Sequence, residues 1–353
     1  MASQLSRPRW VLTLATAFGL LVVFGVVGLV AYRSYKSRSE TPPPCTDCAD
    51  QPYTFAIIAD YPYDATQLQN FPAVARQINA DSDVQFTAHL GDIKDDGDCS
   101  KAYYERIRTE FDRFTQPFVY TPGDNEWADC YRPANGSYNP LERLKVLRQV
   151  FFAHPGRTLG AEPMTVVSQD DLGYPENVRF TRAKVSFGAF HAVGPRNGLF
   201  VWTGETAPTP KERAEFTSRT AAAVRLIKDT FSSARDEDAR AVVLFTQADM
   251  FSPERSDADE IAYRPIVQAL AAQAADFDGP VYLFDGDTHE YRTDQPLKAG
   301  EKWLRLYDVA GPVDNLTRVT LDGDENATNY LRVTIRPYFS RVLSWDRIEF
   351  TSR

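Results

Sequence analysis

The stretch Leu283-Phe284-Asp285-Gly286-Asp287-Thr288-His289 constrains the fold of this chain more than any other. An apolar run there ends in a glycine turn that presents an aspartate and a histidine. The same grammar occurs three times earlier. Phe55-Ala56-Ile57-Ile58-Ala59 ends in Asp60, Phe86-Thr87-Ala88-His89-Leu90 ends in Gly91-Asp92, and Phe118-Val119-Tyr120-Thr121-Pro122 ends in Gly123-Asp124-Asn125-Glu126. Short β-branched and aromatic runs bounded by Gly and Asp read as buried strands. Residues 71–79, 101–116, 140–152, 211–234 and 261–277 carry apolar side chains at helical spacing, residues 178–187 and 189–193 read as paired strands around Gly188, and the tail reads as alternating strands that include 304–309. Strands alternating with helices imply parallel βαβ units, and ligand sites in such sheets gather at the carboxyl ends of the strands. Gly-Asp is also an ordinary turn dipeptide, and Gly97-Asp98 and Gly323-Asp324 show how common it is here. What sets the four loops apart is their shared place after a buried-type strand.

Asp60, then Gly91-Asp92, then Gly123-Asp124-Asn125-Glu126, then Gly286-Asp287-Thr288-His289 resembles the calcineurin-like metallophosphoesterase family. That family reads Asp-x-His, Gly-Asp-x-x-Asp, Gly-Asn-His-Glu, a lone His and Gly-His-x-His, in this order. The resemblance covers roughly residue 53 to the C-terminus. It implies an α/β fold, a four-layer α/β/β/α sandwich, and two divalent ions that clamp a phosphoryl group. Carried over position by position, it gives Asp60 to the first ion and Asp92 as the bridge. Asp124 stands in the place of the family's asparagine ligand and Asn125 in that of its histidine; a shifted reading makes Asn125 the ligand instead. Asp287 replaces the first histidine of the last motif and His289 matches the second. Gln247, at the end of the run 242–245, falls nearest the lone histidine, with Asp249 two residues on.

The departures from the family pattern bear on chemistry. Asp60-Tyr61-Pro62 lacks the first-motif histidine. Asn125 cannot donate a proton as an imidazolium would, which leaves Glu126 or His289 as substitute acids. Carboxylates, an amide and one imidazole form an oxygen-rich set suited to Mn²⁺, Mg²⁺ or Ca²⁺, with Fe as a further option. Four carboxylates near one point raise one another's pKa, and a cation relieves them. The other histidines carry no such signal. His89 and His191 sit in strand patterns as core histidines, and His154 precedes a proline. The resemblance places Asn197 near the rim of the site.

Residues 10–32 contain no charge, enough for a membrane span at about 1.5 Å per residue. Arginines and a lysine flank both ends, so charge does not orient it. The expected organisation is a short cytoplasmic tail (1–9), a signal anchor (10–32), a proline-containing linker (33–52) and one domain (53–353). A cleaved signal peptide is the alternative. Cys45 and Cys48 lie in the linker as a lone Cys-x-x-Cys pair. Cys99 follows Asp92 by seven residues and Cys130 follows Asp124 by six. If the two loops meet at one site, a Cys99–Cys130 disulfide staples them. Disulfides persist in oxidising compartments, which puts the globular part outside the membrane: extracellular, periplasmic or lumenal. The formal charge of -9 argues against a nucleic-acid backbone as partner. The expected function is hydrolysis of a phosphate mono- or diester. A catalytically quiet ectodomain that binds metal or a partner is the second reading, and a purely structural ectodomain the third.

Overall fold

The computed structural model describes residues 52–351 except residue 96. The tail, the apolar span, Cys45 and Cys48, and the linker up to residue 51 lie outside the described residues. Among the described residues no helix is long and apolar enough to cross a membrane. The chain runs β1 (Tyr53–Ile58), α1 (Ala65–Ala80), β2 (Val84–His89), α2 (Lys101–Phe111), β3 (Phe118–Tyr120) and α3 (Pro140–Phe151). Then come β4 (Val167–Gln169), β5 (Tyr174–Arg182), β6 (Val185–Ala189), α4 (Pro210–Asp236), β7 (Ala241–Phe245), α5 (Arg264–Ala275) and β8 (Val281–Asp285). The chain closes with β9 (Arg292–Asp294), β10 (Leu316–Thr320), β11 (Asn329–Ile335) and β12 (Leu343–Glu349), besides short helical turns.

The strands form two sheets, ordered β12-β11-β1-β2-β3 and β4-β5-β6-β7-β8-β10-β9. β1, β2 and β3 pair in parallel in the first sheet, and β6, β7, β8 and β10 in the second. This is a mixed α/β fold with a buried core between the sheets. Phe55, Phe86, Phe180, Phe187, Phe245 and Phe284 fill that core. Phe55 and Phe187 meet edge to face at 5.6 Å, a geometry aromatic quadrupoles favour. A second cluster joins α1, α2 and α3 to the outer face of the first sheet, and a third joins α4 and α5 to the outer face of the second.

Local rules explain most boundaries. Asp64 caps α1 and Asn139 caps α3, where Pro140 takes the first turn. Thr209 and Glu212 form a capping box on α4. The predicted helix over 101–116 ends at Phe111, with Asp112 as its C-cap, and Pro117 keeps the residue before it out of helical backbone.

Two expectations are corrected. Gly188 reads as the turn of a hairpin, yet it lies inside β6 and the turn is Ala183-Lys184. Both turn residues are left-handed, with φ of 48° and 58°, as a two-residue hairpin turn requires. Gly188 is needed where α4 packs closely, since a Cβ there would stand 2.6 Å from Thr230 Oγ1. The alternating segment 304–309 reads as a strand, but Lys302–Leu306 is helical. Trp303 and Tyr307 stack four residues apart at 6.0 Å, and both meet Phe251. A strand the patterning does not single out, β10, pairs in parallel with β8.

The wholly buried Glu176 joins α3 to the hairpin of β5 and β6. Arg148 Nη2 donates to it at 2.5 Å and His191 Nδ1 lies at 2.8 Å. Burial pushes its carboxyl up, but the charges and hydrogen bonds of Arg148 and His191 outweigh this and bring it down to about 2. A depressed carboxyl stabilises the fold above its unfolded pKa and loses that contribution as pH falls through the folded value. Glu176→Gln is therefore expected to cost about 3 kcal/mol at pH 7. The difference from wild type should shrink as pH falls from about 4.5 toward 2, read by urea denaturation across that range.

Candidate metal centre

The loops after β1, β2 and β3 and those after β7 and β8 meet at the carboxyl ends of their strands. Local backbone geometry sets the aim of each side chain. Asp60, Asp92, Asp287 and His289 all have left-handed backbones, with φ of 49°, 55°, 73° and 60°. Such conformations are uncommon for non-glycine residues and cluster at functional sites. Main-chain hydrogen bonds lock the loops together. Asp60 N donates to Gly91 O at 3.0 Å, Gly286 N to Gln247 O at 3.0 Å, and Asp324 N to Asp60 O at 3.1 Å. Two glycines close the floor and the rim. A Cβ on Gly323 would lie 2.4 Å from Asp60 Cβ and 2.7 Å from His289 Cδ2; one on Gly194 would lie 2.3 Å from Asp124 Oδ1.

Two sets of potential ligands result, and they share Asp92. Asp60, Asp92 and His289 each offer an atom within 4.8 Å of the others, as do Asp92, Asp124 and Asp287. Asp60 and Asp92 are wholly buried, while the His289 side chain is about a quarter exposed. Asp60 Oδ1 accepts from Asp287 N at 3.0 Å and lies 3.4 Å from His289 Nε2. Burial pulls the imidazole of His289 down. The hydrogen bond and charge of Asp60, with Asp287 and Asp324 behind it, outweigh this and bring it up to about 9. Burial raises the carboxyls of Asp92 and Asp124 well above the usual range. The charges of Asp124 and Glu126 add to the rise at Asp92, and that of Asp287 to the rise at Asp124. Among the described residues two cationic side chains touch these carboxylates, Arg255 on Asp287 and His289 on Asp60. Buried like charges of this kind, with an imidazole beside them, fit a divalent ion by donor chemistry.

The remaining predicted residues fall around this cluster in different roles. Gln247 reaches it, but with its nitrogen. Its Oε1 accepts from Gly194 N at 2.6 Å, and its Nε2 donates to Asp92 Oδ2 at 3.0 Å and Asp124 Oδ1 at 3.2 Å. As placed it is a donor to the carboxylates, not a ligand beside them. Asn125 hands its backbone N–H to Asp92 Oδ1 at 3.3 Å and its side-chain amide to Tyr63 Oη at 2.6 Å. Glu126 is sealed beneath the loop, where its Oε1 accepts from Tyr120 Oη at 2.9 Å and Gly123 N at 3.1 Å. That is a bracing position rather than one open to a leaving group. Asn197, expected at the rim, is bound instead by Arg219 and Thr220. Trp127 Nε1 donates to His191 Nε2 at 3.1 Å, and His89 Nε2 lies 2.6 Å from Tyr61 O, so both are core histidines. Asp249 supports the last loop, accepting from Thr288 Oγ1 at 3.1 Å and pairing with Arg318.

Three site residues escape the motifs. Tyr63 Oη lies 3.1 Å from His289 Nε2 and donates to Asp92 Oδ2 at 3.5 Å. It stands three residues after Asp60, one beyond where Asp-x-His places a ligand. Arg255 Nη1 donates to Asp287 Oδ2 at 2.5 Å from the loop after β7, with no local signal in the sequence. Gly323 does carry a signal, its Gly-Asp dipeptide, where the glycine gives Asp60 and His289 room and Asp324 ties its loop to Asp60 O through its main-chain N–H.

The sequence profile of the calcineurin-like phosphoesterases matches residues 53–291. The chain belongs to the calcineurin-like phosphoesterase family. That family generally uses divalent metals. No curated relative matches the chain. Among solved structures, a putative 5'-nucleotidase from Staphylococcus aureus is 13% identical with a TM-score of 0.45, covering 86% of this chain and 55% of its own. GAP50, the anchor in the inner membrane complex of Plasmodium, is 10% identical with a TM-score of 0.42, covering 86% and 90%. The Haemophilus influenzae NAD nucleotidase is 11% identical with a TM-score of 0.41, covering 84% and 55%. The chain thus spans about 55% of the length of the two nucleotidase chains.

A disulfide joins Cys99 to Cys130, 31 residues apart, with Cα atoms at 5.9 Å. It ties the loop that carries Asp92 to the loop that carries Asp124. Buried Lys94 bridges the same loops, donating to Asp95 O at 2.6 Å and Asn125 O at 3.0 Å. A bridge over this separation constrains the unfolded chain by roughly 3–4 kcal/mol in the chain-entropy view. The Cys99→Ser/Cys130→Ser variant is expected to lose about that much stability, measured by urea denaturation without reductant.

Proposed function

We propose that this chain is a divalent-metal-dependent phosphoesterase that hydrolyses a phosphate mono- or diester at the Asp92 centre. The observation that carries the reading is the pair of carboxylate sets sharing Asp92, within a chain of the calcineurin-like phosphoesterase family. On the family pattern, Asp60, Asp92 and His289 would hold one ion and Asp92, Asp124 and Asp287 would offer ligands to a second. When bound, such ions polarise the phosphoryl group and supply hydroxide at neutral pH.

The chain's own residues then do the rest. Gln247 and Asn125 hold the Asp92 and Asp124 carboxylates in register by donating N–H groups to them. Arg255 sets Asp287 at the rim and offers a fork suited to phosphoryl oxygens. Tyr63 fixes the edge of the His289 ring, with centroids 4.9 Å apart. An amide stands where the family has its histidine, and an amide cannot protonate a leaving alkoxide. Substrates with acidic leaving alcohols should therefore turn over best. The same lack of an imidazolium favours a second reading, a quiet member that binds metal without turnover.

The Cys99–Cys130 bridge supports an oxidising location. We place the domain outside a membrane, anchored through residues 10–32, which lie beyond the described residues.

Purified protein with Mn²⁺ is expected to hydrolyse an aryl phosphate or aryl diester faster than its alkyl counterpart. Asp92→Asn should lower the rate at least about 100-fold, as the loss of a principal electrostatic group does. Metal binding without turnover on either ester class would decide for the quiet member.

A further inference from the structure

Resting on the phosphoesterase reading above, we infer that the centre takes one divalent ion, at Asp60, Asp92 and His289, and that Arg255 serves as a built-in cation at the second position. The two carboxylate sets share Asp92 but face different neighbours. In the second set every member already accepts from a side-chain nitrogen. Gln247 Nε2 lies 3.0 Å from Asp92 Oδ2 and 3.2 Å from Asp124 Oδ1, and Arg255 Nη1 lies 2.5 Å from Asp287 Oδ2.

An N–H group has no lone pair to give a metal. Gln247 cannot turn its oxygen inward without losing the Gly194 N–H that its Oε1 holds at 2.6 Å. Arginine stays protonated in proteins, so a divalent ion entering here would meet a guanidinium in contact with one of its own ligands. Arg255 is also held in place, with only 15% of its side chain exposed.

The first set differs. Asp60 accepts from a main-chain donor, Asp287 N, and the side-chain nitrogen against it, His289 Nε2 at 3.4 Å, belongs to the set itself, an imidazole nitrogen that can offer a lone pair as a guanidinium cannot. The hydroxyl of Tyr63 lies 3.1 Å from His289 Nε2 and donates to Asp92 Oδ2 at 3.5 Å, a long and rotatable O–H whose oxygen keeps lone pairs for an ion. Of the positions that departed from the family pattern, Asp287 holds Arg255 and Gln247 donates to Asp92 and Asp124 in the same set, so these residues serve a guanidinium and an amide rather than a second ion. The ion pair to Asp287 uses one terminal nitrogen of a five-donor fork. The guanidinium therefore supplies positive charge and N–H donors on the side of the phosphoryl group that a second ion would otherwise face.

The test is elemental analysis of the full chain after loading with Mn²⁺ and removal of excess ion. Wild type is expected to hold about one ion per chain, and about one in Arg255→Lys, which keeps the charge. Arg255→Met, which removes the charge from Asp287, is expected to hold about two. Thermal melting checks that each variant is folded. Two ions in wild type overturn the inference and leave the phosphoesterase reading standing. One ion in both wild type and folded Arg255→Met removes Arg255 from the role assigned to it. No ion in any of the three overturns both this inference and the metal-dependent reading beneath it. If Arg255→Met does not fold, the wild-type and Arg255→Lys counts decide.

Discussion

The mutual repulsion of buried carboxylates at the crest of two sheets is the constraint on which the rest of this molecule depends. Asp60, Asp92 and Asp124 are almost without solvent, and Asp287 joins them from the opposite sheet. In water such groups separate. Here they stay together because each sits on a loop fixed at both ends. β1 and β2 are tied by Asp60 N to Gly91 O, and β7 and β8 by Gly286 N to Gln247 O. The strands beneath those loops are held by aromatic packing between the sheets, where Phe55 touches Phe86, Phe187 and Phe245. Core packing therefore sets the positions of charges that would not choose them.

Such an arrangement must be compensated locally, and the compensation is uneven. His289 and Arg255 bring full positive charge, Gln247 and Asn125 bring amide dipoles, and Lys94 pins the main chain behind Asn125. A further buried carboxyl, Asp285, faces the paired Thr320 across β8 and β10. Burial, with the charge of Asp249 added, pushes its carboxyl well up. The cluster is thus graded. The guanidinium of Arg255 and the amide of Gln247 serve the second set, and a metal ion suits the first, where the Asp60 and Asp92 oxygens and the His289 imidazole converge.

How much of this could be read from the sequence follows from range. The strand-end loops were legible because each is local: an apolar run, a turn and an acidic residue within about eight positions. The Cys99–Cys130 bridge was legible once two of those loops were taken to meet. Tyr63 was not, because a template that looks two residues past Asp60 stops at Pro62. Arg255 was not, because an arginine in a loop means nothing until its partner, Asp287, 32 residues on in the loop after β8, is known to lie beside it. Gly188 and Gly323 were misjudged for one reason: a glycine's need for space depends on what packs against it. For Gly188 that is Thr230 on α4, and for Gly323 it is Asp60 and His289. The 304–309 segment alternates like a strand, yet the stacking of Trp303 on Tyr307 rewards one helical turn.

The sidedness of the centre is the last consequence. Asp60, Asp92 and Asp124 come from the sheet carrying β1, β2 and β3, while Gln247, Arg255, Asp287 and His289 come from the sheet carrying β7 and β8. The first sheet therefore brings mainly anions to the crest, and the second brings both cations that touch them, together with the donor amide. Of the two side-chain cations in contact with the carboxylates among the described residues, His289 reaches across the joint to Asp60, while Arg255 meets Asp287 within the second sheet's half. Removing either cation would leave a buried anion uncompensated, the costly way to break a buried pair. The His289–Asp60 pair therefore also joins the two halves of the crest, while Arg255 steadies the second half alone. A substitution in this loop cluster is bound to change both stability and chemistry, and neither can be read without measuring the other.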